Sequence, residues 1–206
     1  MPEFSSFRIC TARKLASSLD RVPDAGGVYA VLVANADEFL RPYGYFELEP
    51  RPLLTVDGRQ VLYLGSTGRS LQKRLCEHLF GDSRLSTLRM TLGCLLLEEI
   101  GLTVLGTLGQ TYFHFGDDEA RLTNWMCEHL AIGFLETETP LDDEKALIGL
   151  TNPPLNIAGR KSHPFARALM DRRSDLSSRW IDSATGQIGG NLCGRHNPPL
   201  QPPRIA

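Results

Sequence analysis

The sequence predicts an α+β fold, a small three-stranded central sheet flanked by helices, with insertions and a basic C-terminal extension. Three observations predict it. Apolar runs bounded by glycine or polar residues occur at 27–34, 60–64 and 131–136. Apolar positions at helical spacing lie around and between them. Beyond Ile157 the charge turns positive, with eight basic residues against three acidic ones, leaving that segment at +5 and the remainder at −7.

Taken in order, Gly26-Gly27 opens the first strand, Gly27-Val28-Tyr29-Ala30-Val31-Leu32-Val33-Ala34, whose unbroken apolar run suits burial on both faces. Residues 35–58 are polar and broken by Pro42, Gly44, Pro50, Pro52 and Gly58, and read as a long insertion or extended hairpin loop. Gln60 to Leu64 form the second strand, ending at Gly65. Ser66, Thr67 or Ser70 caps a helix over roughly 70–80, with Leu71, Leu75 and Leu79 as its buried stripe. A further helix spans 85–100, and Thr111 to Phe115 form a short strand. Asp117 and Asp118 open a helix running to Leu130, with Leu122, Trp125, Met126 and Leu130 on one face. Ala131 to Glu136 are the third core strand. Pro140 suits a first helical turn, so 140–150 are helical until Asn152-Pro153-Pro154. A last helix runs from Pro164 to Arg173, and from Asp182 the Gly- and Pro-rich tail is expected to be loosely ordered. The implied division is a lead-in over 1–25, a central domain over 26–158 with the 35–58 insertion, and a basic helix and tail over 159–206.

Composition narrows the class. The 206 residues, 42% hydrophobic and 22% charged, suit a soluble chain with one core domain. No run approaches 18 apolar residues, which argues against a membrane span, and the start Met1-Pro2-Glu3-Phe4 lacks a secretory pattern. Cys10, Cys76, Cys94, Cys127 and Cys193 are odd in number and form no CxxC pair, so free thiols in a reducing cytoplasm are expected. Cys193 and His196 have the spacing of half a metal site, but no second half matches it.

Arg74 and His78 stand four residues apart and so project from nearly one face of their helix. Read alone, they are a surface pair. Together they suit a phosphate, with a guanidinium fork for the anion and an imidazole to move a proton. Tyr29 and Tyr63 lie in glycine-bounded strand segments, where a backbone can approach a ligand. Glu144 lies in the short helix before Asn152; Asp142 and Asp143 sit nearer its amino end and suit the dipole better. His114, His129 and His163 read as structural.

Collected, these residues resemble the GIY-YIG nuclease superfamily, as a standalone bacterial-type member with insertions. The resemblance covers roughly residues 26–158. Gly27-Val28-Tyr29 and Tyr63-Leu64-Gly65 stand at its two signature motifs, Arg74 to His78 matches Arg-x-x-x-His, and Glu144 with Asn156 twelve residues on matches its closing pattern. The sequence departs from the compact pattern in the 34-residue separation of Tyr29 and Tyr63 and in one extra residue before Arg74, near Gly68. Such long insertions resemble the restriction-enzyme branch.

The resemblance implies a metal-dependent endonuclease acting on DNA, most naturally double-stranded, in restriction, defence or a mobile element. It implies Mg2+, with Mn2+ as substitute, held by Glu144. It implies charge stabilisation by Arg74, a proton path through Tyr29 and His78, orientation by Tyr63, and support from Asn156. A free tyrosine has a pKa of about 10, so Tyr29 needs help to act as a base. Arg69, Lys73, Arg160, Lys161, Arg172 and Arg173 are the expected nucleic-acid contacts. A homodimer would suit cleavage of both strands. The competing reading is a catalytically silent nucleic-acid-binding module with the same fold.

Overall fold

The computed structural model describes residues 3–49, 51–106, 112–178 and 181–182. Its strands are β1 (Arg8–Thr11), β2 (Gly27–Val33), β3 (Thr55–Val56), β4 (Arg59–Thr67), β5 (Leu105–Gly106), β6 (Phe113–His114), β7 (Leu130–Glu136) and β8 (Ile181–Asp182). Its α-helices are α1 (Ala12–Ala16), α2 (Ala36–Leu40), α3 (Tyr45–Leu48), α4 (Leu71–Phe80), α5 (Thr87–Leu96), α6 (Glu119–His129), α7 (Pro140–Thr151) and α8 (Pro164–Ser178).

The α+β class holds, but the central sheet has five strands, not three, in the order β1-β7-β2-β4-β3 and antiparallel throughout. A smaller sheet has the order β6-β5-β8. The additional central strands are edges: β1 is half-exposed along its length and β3 has two residues, so neither carries an apolar run. The lead-in thus supplies β1, paired from Arg8 with Phe134 to Thr11 with Ala131. The segment expected as a loop over 35–58 folds into α2, α3 and the β3–β4 hairpin around Asp57-Gly58, and buries Leu40 and Tyr45 completely.

Both faces of β2 are covered, as its continuous apolar run requires. Tyr29, Val31 and Val33 join the larger core with α4, α5, α6 and α8. Val28, Ala30 and Leu32 join a smaller core with Leu147 of α7. The strand β4 runs past Gly65 to Thr67, because Gly65, Ser66 and Thr67 still pair with Tyr29, Val28 and Gly27. Its register slips once: Val31 faces Tyr63 but Leu32 faces Val61, leaving Leu62 as a bulge that puts Leu62 and Tyr63 on the same core. The helix α8 lies against α5 and buries Phe165, Ala166 and Leu169. Thr111, the Cys193–His196 spacing and the tail after Asp182 lie outside the described residues.

The helices around the sheet are held by a buried charge. Arg89 of α5 is 0% exposed, and its guanidinium donates to the carbonyls of His78 and Leu79, closing the C-terminal end of α4. The same group reaches the Glu119 carboxylate at the start of α6 at 2.6 Å. Glu119 also accepts from the Ser83 and Phe115 backbone N–H groups and the Ser83 hydroxyl. Three helices meet at one satisfied ion pair. Removing one partner leaves a buried charge without its counterion. Arg89→Ala is expected to destabilise the protein by about 3–5 kcal/mol, read as a lowered urea midpoint against wild type.

Candidate functional site

The site begins with a crossing between strand and helix. Tyr29 sits directly opposite Gly65 on β4. A Cβ on residue 65 would fall on the Tyr29 phenol, so the glycine of Tyr-Leu-Gly is there to let that ring lie across the backbone. Gly27 is required in the same way, because a Cβ there would strike Leu71 of α4 and the Leu135 carbonyl. The phenol ends 2.6 Å from His78 Nε2, and His78 Nδ1 lies 2.6 Å from the Ser86 hydroxyl. Ser86 also caps α5 by accepting from the Arg89 N–H. Ser70 caps α4, and Leu71, Leu75 and Leu79 hold that helix on the core, which fixes His78.

The electrostatics follow from burial. His78 is pushed down to about 3, by desolvation first and then by Arg74 and Arg89, so it is neutral at pH 7. Tyr29 is raised well above an ordinary tyrosine, mainly by burial and then by Tyr63, while Arg74 opposes the rise. Tyr63, with its ring centroid 6.2 Å from that of Tyr29, is raised by burial and by Glu144, while Arg74 and the hydroxyls of Tyr29 and Thr87 pull the other way. Arg74 is only partly exposed and bonds Glu77 at 3.0 Å.

Glu144 arrives from α7 on the other face of the sheet. Its carboxylate accepts from the Ser66 hydroxyl, on the β4 residue after Gly65. Asn156 accepts from Leu64 N–H at 2.8 Å and donates to Leu64 C=O at 2.7 Å, while Leu155 N–H bonds the Leu62 carbonyl. The short β3 reaches only Arg59 and Gln60, so this amide pairs with β4 where no strand does. Tyr63, Glu144 and Asn156 line one cleft of about 320 Å³ with Thr87, Ile157 and Arg173. Arg69, Lys73 and Arg74 line a neighbouring depression of about 440 Å³. The fold therefore brings together Tyr29, Tyr63, Arg74, His78, Glu144 and Asn156.

Among the expected nucleic-acid contacts, Arg69, Lys73 and Lys161 are exposed and Arg173 faces the cleft. Two others, Arg160 and Arg172, are engaged by groups of the protein itself. The Arg160 side chain is 9% exposed, lies 3.5 Å from the buried Glu49 carboxylate, and donates to the Asn152 and Pro153 carbonyls. Arg172 donates to the Cys94 carbonyl at 2.7 Å and faces Glu98. Ser86, Thr87 and Arg89 were not among the expected site residues, and Ser66 was expected only as a candidate cap of α4, a place that Ser70 takes. Ser86 had a signal, a serine just before an apolar helical run; nothing in the sequence pointed Ser66 to Glu144 or Thr87 to the cleft. His114, His129 and His163 bond the backbone at Gly116, Trp125 and Phe165.

Among the described residues no three His, Cys, Asp or Glu side chains gather to hold a metal ion. Among the described residues there is thus no ligand set for a closed zinc-type site. A single carboxylate on an open cleft does fit a hard cation that keeps most of its water and takes phosphate oxygens.

The model of the GIY-YIG catalytic domain matches residues 27–175, a span that includes β2 through most of α8. No curated protein and no solved structure matches the chain.

Two outcomes follow from this geometry. Gly65→Ala is expected to cost about 1–3 kcal/mol as an overpacked contact and to displace Tyr29 from His78, read as a lower thermal midpoint. His78 has a folded pKa below its unfolded value, so the unfolded state binds the extra proton between about pH 6.5 and 3. Its contribution to stability is complete above pH 6.5 and is lost as pH falls towards 3. Urea unfolding at pH 7 and pH 5 should show a smaller pH dependence in His78→Gln than in wild type, and an equal dependence would exclude this histidine as a source.

Proposed function

The chain belongs to the GIY-YIG catalytic-domain family, and from that premise we propose that it is a metal-dependent endonuclease hydrolysing phosphodiester bonds in DNA. The observation that carries the reading is that Tyr29, held against His78 and beside Arg74, lies next to Tyr63, which shares one cleft with Glu144 and Asn156. Support for a nucleic-acid substrate comes from Arg69 and Lys73 in the depression that Arg74 lines and from Arg173 in the cleft that Glu144 lines. Free thiols at Cys10, Cys76, Cys94 and Cys127 support a reducing, cytoplasmic setting. The insertions around the core support a role in restriction, defence or a mobile element.

In the proposed reaction a water oxygen attacks phosphorus in line with the bond to the leaving strand. Its proton passes to the Tyr29 oxygen as the Tyr29 proton passes to His78 Nε2, in the tautomer whose Nδ1–H faces Ser86. No free tyrosinate is needed, which suits a phenol so strongly disfavoured as an anion. Arg74 holds the phosphate oxygens as charge grows on them. Tyr63 and Thr87 form the wall that orients the water. The P–O bond breaks and the departing oxygen takes a proton from solvent. A divalent cation held by Glu144, magnesium or manganese, supplies stabilisation of the leaving oxygen when bound. One such site cuts one strand, so a double-strand break calls for two copies or two encounters.

The test is cleavage of supercoiled plasmid with magnesium, manganese or chelator, comparing wild type with Glu144→Gln, which retains an acceptor for Ser66. Wild type should nick or linearise the plasmid only with metal, and Glu144→Gln should be slower by at least about 10²-fold, the scale of losing a key electrostatic group. Equal cleavage by both proteins would remove Glu144 from the site. Binding without cleavage under every metal would leave a silent binding module.

A further inference from the structure

Beside the cleft that holds Tyr63, Glu144 and Asn156 lies a second groove of about 480 Å³. The two share Ile157, Ala158 and Arg173, so they form one continuous surface. The floor of the groove is apolar, with Phe113 and Met170, and its cations are Lys161 and Arg173. Tyr112 stands on its wall, 56% exposed. The next residue, Phe113 of β6, is buried and packs edge-on against Phe115 at 5.7 Å, so the backbone that carries Tyr112 is held while its ring is not covered.

An exposed aromatic ring, an apolar floor and two cations in one groove match the chemistry of a nucleotide that is not base-paired. Its base offers a π-face to stack on the ring, and its phosphate meets the cations. A base inside a duplex is stacked on both faces and has none to offer. We propose that this groove takes an unpaired base of the strand being cut, stacked on Tyr112, with the adjoining phosphate held by Lys161 and Arg173. The favoured substrate is then DNA that is single-stranded or locally unpaired beside the scissile bond. This assignment rests on the phosphodiesterase reading of the neighbouring cleft, because it is the shared wall that gives the bound strand its direction.

The experiment measures binding of the full chain, with chelator present so that nothing is cut. The probes are a fluorescein-labelled, fully paired DNA duplex and the same duplex with three unpaired nucleotides at its centre. Wild type should bind the second probe roughly 5- to 150-fold more tightly, the range for one base stacked on an aromatic side chain. Tyr112→Ala should bring that ratio to within twofold and leave affinity for the paired duplex unchanged, and Tyr112→Phe should keep the preference. Equal affinity of wild type for both probes overturns the assignment. So does a preference that survives Tyr112→Ala, or an equal loss of affinity for both probes in that variant. If plasmid is cut with magnesium while both duplexes bind alike, the groove assignment alone fails. If DNA is neither bound at low salt nor cut, the nuclease reading falls with it.

Discussion

The phenol of Tyr29 crosses the backbone of its own sheet and ends against an imidazole on a helix, and much of the molecule is arranged to let it do so. The crossing needs no side chain at position 65, a helix close enough to present His78, and a buried strand that cannot shift. Gly27 lets Leu71 of α4 approach β2, which sets the helix height, and the ring of Leu71, Leu75 and Leu79 holds it there. Arg89 then closes the far end of α4 through the His78 and Leu79 carbonyls, so the residue bearing the imidazole is gripped by its backbone as well as its side chain. A buried ion pair contributes little net stability compared with apolar packing. What Arg89 and Glu119 add is a fixed relation among α4, α5 and α6.

The other half of the site is set at the sheet edge by amide chemistry. Asn156 presents a donor and an acceptor to Leu64 in the manner of a strand residue. The loop that carries it is held in turn by Glu49 from the 35–58 segment. That carboxylate accepts from Asn152 at 3.1 Å, pairs with Arg51 at 2.8 Å and faces Arg160. The hydrogen bond from Arg51 does most to bring Glu49 down to about 2, so it is ionised wherever the protein is folded under ordinary conditions. The segment that broke the compact sequence pattern is thus built into the support of the closing motif.

How far this was legible follows from what each element needs. The strand β2 and the helix α4 were readable because a seven-residue apolar strand, a serine cap and leucines every four residues each carry their own signal. The candidate residues Tyr29, Tyr63, Arg74, His78, Glu144 and Asn156 stood out as a set through their order and spacing, and the fold gathers them. The edge strands β1 and β3 were not, because pairing there depends on the neighbour and not on their own composition. Arg89 in an apolar helix looks like one surface charge until Glu119, thirty residues away, is brought beside it. Arg160 and Arg172 look like free cations for the same reason; their partners, Glu49 and the Cys94 carbonyl, are distant in sequence. Local signals fix elements and motifs, whereas the fate of a charge is decided by tertiary contacts.

That same field bears on the proposed chemistry. His78 is kept neutral by burial and by the positive charges of Arg74 and Arg89. A neutral imidazole can receive the Tyr29 proton in the proposed reaction, yet beside burial the positive charges of both arginines disfavour the product imidazolium. A bound phosphate changes one of those two conditions. In the proposed reaction its negative charge at Arg74 would offset that cation and make the imidazolium easier to form when the attacking water must lose a proton. Arg89 cannot be offset in this way, since it is buried out of a substrate's reach against Glu119. In the proposed reaction the two arginines therefore divide the work: Arg89 holds the histidine in place and unprotonated, and Arg74 makes its basicity depend on the substrate.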